Sequence, residues 1–297
     1  MPSTKRRSSL LKFHRPKLNL NDAPIPPLKP ESKLCLRNLL AYTPRKQRLR
    51  FPKSRCAAVL VALFVGRMGD LYVLLSQRAS GLRTYAGDTS LPGGKWDSTD
   101  RNIEWTARRE AYEEIGLPPD TRKTPLLCIM EPFLAGGNLL VTPVVVLVLD
   151  NGLRPVLNEA EVALLFSHPL ASLLKATPPF PLEDPEQEYH TYVDSTDWSG
   201  LPGKARMHRF LTGREAGGTK PIFGLTAAIL IQVARVGYGA APEFEQFAPG
   251  QYPMEQRIAY ALKHKDAFRE ALQKEGFDPD KIPEVPTNST PQVKSRL

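Results

Sequence analysis

The hydrophobic positions of this chain fall into runs of strand length and a few of helical length. Cys56–Val65 (CAAVLVALFV) is apolar almost without a break, and Leu71–Ser76 (LYVLLS) repeats the pattern. Arg67-Met68-Gly69-Asp70 separates them as a turn, so the pair predicts a β-hairpin buried on both faces. Leu126–Met130 and Val141–Leu149 (VTPVVVLVL) predict further strands. The latter should begin at an edge or bulge, because Pro143 cannot donate to a ladder. Met207–Leu211 predicts another strand. Gly224–Val236 (GLTAAILIQVARV) is apolar nearly all round, the pattern of a buried helix. Short helices are expected over Leu34–Tyr42, stopped by Pro44, and from His168-Pro-Leu to about Lys175. Met254–Lys274 reads as one amphipathic helix. Residues 177–203, Pro-rich and acidic, read as a long loop or an irregular hairpin.

One polar stretch interrupts this pattern, Leu91–Leu117 (LPGGKWDSTDRNIEWTARREAYEEIGL). It opens on what reads as a Pro-Gly-Gly turn and closes on a helix stopped by Gly116. Glu110, Glu113 and Glu114 sit at i, i+3 and i+4, so three carboxylates share one helix face. Like charges at that spacing are mildly destabilising, and a cation between them removes the conflict. Hard divalent ions such as Mg²⁺ take oxygen ligands and leave positions for water and phosphate.

Charge has to be located before it means anything. The net +9 is uneven: residues 1–53 hold 14 Lys or Arg against Asp22 and Glu31, and the rest holds 26 basic against 29 acidic residues. The basicity belongs to a tail, and a nucleic-acid partner is not expected from it. Residues 1–30 lack a hydrophobic period and read as disordered. A solvated tail, an anion-binding patch and a mitochondrial presequence stay open for them. Three cysteines, Cys35, Cys56 and Cys128, have no metal-ligand spacing and no even pairing, which fits a reducing compartment. No apolar run reaches the ~18 residues needed to cross a bilayer. The expected division is a basic extension over 1–53, a main domain over 54–240, and a C-terminal extension over 241–297 with one helix and a tail.

Arg109-Glu110-Ala111-Tyr112-Glu113-Glu114-Ile115-Gly116-Leu117 resembles the second half of the Nudix box, G-x5-E-x7-R-E-U-x-E-E-x-G-U with U apolar. The first half departs from it: one residue too many separates Gly94 from Arg109, and Asp100 stands where Glu is usual. GGK-x-D-x-x-D followed by T-A-x-R-E resembles the coenzyme A diphosphatase subgroup. Leu74–Gly94 (LLSQRASGLRTYAGDTSLPGG) is similar to the block preceding the box in those enzymes, with Arg78, Leu82, Arg83, Gly87, Pro92, Gly93 and Gly94 matching. Tyr85 replaces its His, Ala79 its Ser and Leu91 its Phe. LVTPVVVLV, NEAEVALLFSHPL and FGLTAAILI also look like the fungal peroxisomal members.

The resemblance implies an α/β fold, an α/β/α sandwich around a mixed sheet. It also implies Mg²⁺- or Mn²⁺-dependent cleavage of coenzyme A into 3′,5′-ADP and 4′-phosphopantetheine. Glu110, Glu113 and Glu114 are the implied metal ligands, Glu113 counting as catalytic as well. Arg109 is expected to orient a glutamate. A general base from outside the box falls first to Glu161, then Glu159, then Glu131. Gly93 and Gly94 would supply a tight turn and close backbone approach. Arg78 and Arg83, then Lys95, are candidates for substrate phosphates. Ser295-Arg296-Leu297 is a variant of the S-K-L address read by the peroxisomal import receptor, with the mitochondrion the alternative. Two rivals stay open: hydrolysis of an oxidised nucleotide such as 8-oxo-dGTP, and a non-catalytic module binding nucleotide or RNA.

Overall fold

The computed structural model describes residues 18, 20, 23–46, 48–150, 153–182, 184 and 186–285. The expected disorder over most of 1–30 and the Ser295–Leu297 address lie outside the described residues. Helix α1 spans Pro30–Ala41. Strands β1 (Cys56–Val65) and β2 (Leu71–Arg78) form the expected hairpin, with Leu63 opposite Val73. Two short strands follow, β3 (Thr89–Ser90) and β4 (Gly93–Lys95), then helix α2 (Ile103–Ile115). Strands β5 (Leu126–Ile129), β6 (Phe133–Ala135), β7 (Leu139–Leu147) and β8 (Val162–Pro169) complete one eight-stranded sheet. Its main path runs β3-β2-β1-β7-β5, with β4 on β1, β6 on β7 and β8 on β2. The sheet is mixed because β1 and β7 run parallel, Cys56 opposite Leu140 through Leu63 opposite Leu147.

The unbroken apolarity of β1 follows from its place at the centre of this sheet. Alternate side chains feed two cores. Ala57, Val61, Leu63 and Val65 face one that contains α1 and helix α3 (Gly224–Tyr238). Cys56, Ala58, Leu60 and Ala62 face the other, against Ile103, Ala107, Ala111 and Ile115 of α2. Helices therefore cover both faces, which is the α/β/α sandwich. α1, assigned from sequence to the N-terminal extension, is part of this core: Cys35, Leu36 and Leu39 are fully buried. It fits against α3 because Gly237 has no side chain. A Cβ there would stand 2.4 Å from the Cys35 sulfur.

One expectation is resolved and another needs correction. Residues 177–203 contain strand β9 (His190–Thr196), which pairs antiparallel with β10 (Lys204–Phe210), and β11 (Ile222–Phe223) completes a separate three-stranded sheet. Of the two readings of that segment, the hairpin is the one adopted, and β10 begins ahead of Met207. Met254–Lys274 is not one helix but two, α4 (Met254–His264) and α5 (Asp266–Lys274), divided at Lys265, which is extended (φ −88°, ψ 125°). The reason is phase. Phe268 follows Leu262 by six residues, about 240° further round a continuous helix, on the wrong side. The break lets Ile258, Leu262, Phe268 and Leu272 enter one cluster with Leu134 and Leu140 of the sheet.

Candidate active site

α2 starts where the Asn102 side chain accepts the Trp105 N–H at 2.8 Å and stops at Gly116, whose φ of 66° is left-handed. Its buried stripe fixes the helix on β1. That leaves Glu110, Glu113 and Glu114 on the flank facing β4. The loop after the helix is held by Arg108, whose guanidinium is 2.9 Å from Glu104 and donates to the Thr124 hydroxyl and carbonyl.

The glycines before the helix are not a turn, as expected from sequence, but strand β4, paired with Ala57, Ala58 and Val59 of β1. Close approach is what they provide. A Cβ on Gly93 would stand 2.2 Å from the Ala58 oxygen, and one on Gly94 would stand 2.4 Å from the Glu110 carboxyl carbon. Gly93 N–H donates to Glu114 Oε2 at 3.0 Å. Sequence alone favours a turn here because Pro-Gly-Gly is turn chemistry; the ladder to β1 outweighs it.

Arg109 is the hub. Its Nε and Nη2 grip both Asp100 oxygens at 2.9 and 3.0 Å, and Nη1 reaches Glu110 and Glu113 at 3.0 Å each. Nη2 also donates to the Lys95 carbonyl at 3.0 Å, so Lys95 takes part through its backbone while its side chain is exposed. The Asp100 side chain is fully shielded from solvent. Burial pushes its pKa up, but hydrogen bonds from Arg109 and from Asp97 N–H outweigh that and hold it below the ordinary value. Asp100 thus fastens the arginine that fastens two glutamates, a role the altered spacing of the box concealed.

Glu114 is the most buried of the three. Its carboxyl lies 3.9 Å from the Arg78 guanidinium. Burial pushes its pKa up to about 7, with Gly93 N–H and Arg78 opposing and the charges of Glu110 and Glu161 adding to the rise. Glu110 is raised as well, by burial first, with Glu113 and Glu161 contributing. Glu161 therefore sits within electrostatic reach of both. It precedes β8, and its carbonyl accepts the Ala79 N–H at 2.8 Å, beside Arg78. Glu159 is exposed, and Glu131 is engaged elsewhere by the Tyr42 hydroxyl and the Arg45 N–H. Arg83 is exposed on the loop between β2 and β3.

The donor set is all oxygen, and the charges of neighbouring carboxylates add to the burial that raises the pKa of Glu110 and Glu114, which is the chemistry a hard divalent cation relieves. As the side chains stand, no group of three or more His, Cys, Asp or Glu among the described residues converges as a metal cage. Glu110 and Glu113 are turned to Arg109, and Glu114 to Gly93. The buried Nε of Arg78 has no hydrogen-bond partner among the described residues, which suits an anionic ligand.

Residues 54–189 match the family model for the NUDIX domain. The chain is 38% identical over 203 residues to a mitochondrial Nudix hydrolase of Arabidopsis thaliana, covering 68% of this chain and 65% of that protein. It is 33% identical to a peroxisomal coenzyme A diphosphatase of Saccharomyces cerevisiae, covering 57% and 60%. The chain therefore spans less than two thirds of the length of these two relatives. Against an uncharacterized Nudix hydrolase, NudL, of Pectobacterium atrosepticum, it is 35% identical over 61% of this chain and 82% of that one. With that share of a relative matched, and the carboxylate helix packed on the central strand of a mixed sheet, the chain belongs to the Nudix hydrolase family.

Proposed function

We propose that this protein hydrolyses the diphosphate bond of coenzyme A or a derivative of it, releasing 3′,5′-ADP and 4′-phosphopantetheine. The observation that carries the reading is the meeting of two motifs. Arg78, from the block similar to the coenzyme A enzymes, lies against Glu114 of the box at 3.9 Å, and its inner nitrogen is unpaired. The likeness to the yeast coenzyme A diphosphatase supports the same substrate.

Nudix hydrolases generally use divalent metal ions such as Mg²⁺ or Mn²⁺. Glu110, Glu113 and Glu114 are the residues proposed to hold one here. When bound, the ion neutralises phosphate charge and makes water a better nucleophile at neutral pH. Arg109 positions Glu110 and Glu113 and acts through them. Arg78 neutralises charge on the diphosphate, as does Arg83 further along its loop. Glu161 is the proposed base: it takes a proton from water as the water oxygen bonds to phosphorus and the bridging P–O bond breaks. One water is consumed and each product carries one phosphate of the cleaved link. The compartment belongs to the same proposal: the yeast relative is named as peroxisomal and the Arabidopsis one as mitochondrial, and peroxisomal is the reading adopted.

The test is product identification by mass after incubation with Mg²⁺ and either coenzyme A or 8-oxo-dGTP. Release of 4′-phosphopantetheine supports the proposal. Cleavage of 8-oxo-dGTP alone replaces it with the oxidised-nucleotide reading, and no turnover of either replaces it with a binding module. Glu113→Gln should abolish turnover without loss of fold, since that side chain is 52% exposed. Full activity in this variant would remove Glu113 from the ligand set.

A further inference from the structure

Three segments distant in sequence meet at the turn between β6 and β7. The turn between β6 and β7 presents Gly136. A Cβ on that glycine would stand 2.9 Å from the Tyr85 hydroxyl and 3.6 Å from the Trp198 ring. Two aromatic side chains therefore converge over a patch of bare backbone, and both are open to solvent, Tyr85 at 61% and Trp198 at 43%.

Neither is loosely held. Tyr85 has φ 57°, a left-handed conformation that costs a non-glycine residue ~1 kcal/mol or more. The surrounding loop enforces it. The Tyr85 carbonyl accepts the Asp88 N–H, Arg78 and Asp88 close the loop at its base, and Lys220 Nζ binds the Ala86 carbonyl and Asp88. Trp198 stands between Asp197 and Ser199, which are 4% and 0% exposed. Asp197 is fixed by Arg257 at 2.7 Å. An exposed ring between two buried neighbours, one of them ion-paired, is a presented surface, not a frayed tip. Arg83, two residues before Tyr85, is exposed and makes no ion pair among the described residues.

We propose that Tyr85 and Trp198 form an aromatic clamp over Gly136 that stacks the nucleobase of the substrate, with Arg83 beside it for a ribose-linked phosphate. This rests on the function proposed above and names the part of the substrate these residues read. A planar ring bearing phosphate is what paired aromatics and a free guanidinium recognise together. The pantetheine arm offers no planar face to stack. Arg78 is the last residue of β2, and the loop that carries Tyr85 springs from it and closes back on it through the Gly87 N–H, so the clamp is tied to the residue that stands beside Glu114.

The experiment measures binding without metal or turnover. Isothermal calorimetry is run with 3′,5′-ADP and separately with 4′-phosphopantetheine, on wild type, Tyr85→Ala, Trp198→Ala and Tyr85→Phe. Stacking on one aromatic corresponds to roughly tenfold or more in affinity. Each alanine variant should weaken 3′,5′-ADP by about that factor and leave 4′-phosphopantetheine unchanged, while Tyr85→Phe keeps wild-type affinity. Far-UV circular dichroism checks the fold. Unchanged 3′,5′-ADP affinity, an equal loss for both ligands, or no 3′,5′-ADP binding by wild type overturns the clamp. If wild type cleaves coenzyme A and the variants bind 3′,5′-ADP normally, the clamp fails and the function stands. If wild type leaves coenzyme A intact while 3′,5′-ADP binding depends on both rings, the function fails and the clamp stands.

Discussion

Replacing Arg109 with methionine keeps an unbranched stem and removes five charge-assisted hydrogen bonds at one stroke. The critical partner is Asp100. Its carboxylate is fully shielded, and without the guanidinium it keeps only neutral donors, the Asp97 N–H at 2.9 Å and the Thr106 side chain. Breaking a buried pair from one side costs about 3–5 kcal/mol. Arg109 itself is 21% exposed, so water can enter the vacated space, and the lower figure of about 3 kcal/mol applies. For a domain of this size that lowers the melting temperature by about 6–12 °C. The sign with pH follows from Asp100. Its folded pKa lies below the usual 3.8, so its contribution is complete well above that pH and disappears as pH falls through the folded value. Scanning calorimetry of metal-free protein should therefore show wild type and Arg109→Met far apart at pH 7 and converging towards pH 3. A variant melting within ~2 °C of wild type at pH 7 would mean that Asp100 is not held by Arg109.

Glu114, with its pKa raised from 4.5 to about 7, weakens the metal-free fold as pH climbs through that window, because its stability is full below 4.5 and is lost towards 7. Metal-free Glu114→Gln should melt above wild type at pH 8 and match it at pH 5, as read by differential scanning fluorimetry. Gly94→Ala drives a methyl into the Glu110 carboxyl, so kcat/KM should fall by about 100-fold with the melting temperature little changed; a steady-state assay against coenzyme A checks it. Gly237→Ala pushes on the Cys35 sulfur and should cost about 1–3 kcal/mol in urea unfolding without touching the site.

The central strands, the helix with its three carboxylates and the buried α3 were legible because each rests on a local period or a local stop signal. What was hidden depends on partners far along the chain. Gly93 and Gly94 read as a turn until β1 is placed beside them. Asp100 read only as a residue standing where Glu is usual until Arg109 is seen to take both its oxygens. The division at Lys265 follows from where Phe268 must point, which no pattern within 254–274 reveals unless the site it packs against is known. Trp198 lay in a segment that reads as a long loop or an irregular hairpin, and its importance comes from Gly136 and Tyr85, neither of which is near it in sequence.

The parallel pairing of β1 with β7 has a kinetic consequence. Parallel neighbours cannot be joined by a tight turn, and here the crossover carries β4 and α2. Closing a connection that long is a slow, non-local event in folding. The carboxylate helix rests on local signals, but β4, which sets its glutamates, pairs with a β1 whose other edge stays open until that closure brings β7 beside it. A ligand that recognises the assembled carboxylates would then bind only chains that have completed the crossover. Its binding during refolding would time the closure of the central sheet, and in the cell it would shift late intermediates towards the finished protein by mass action.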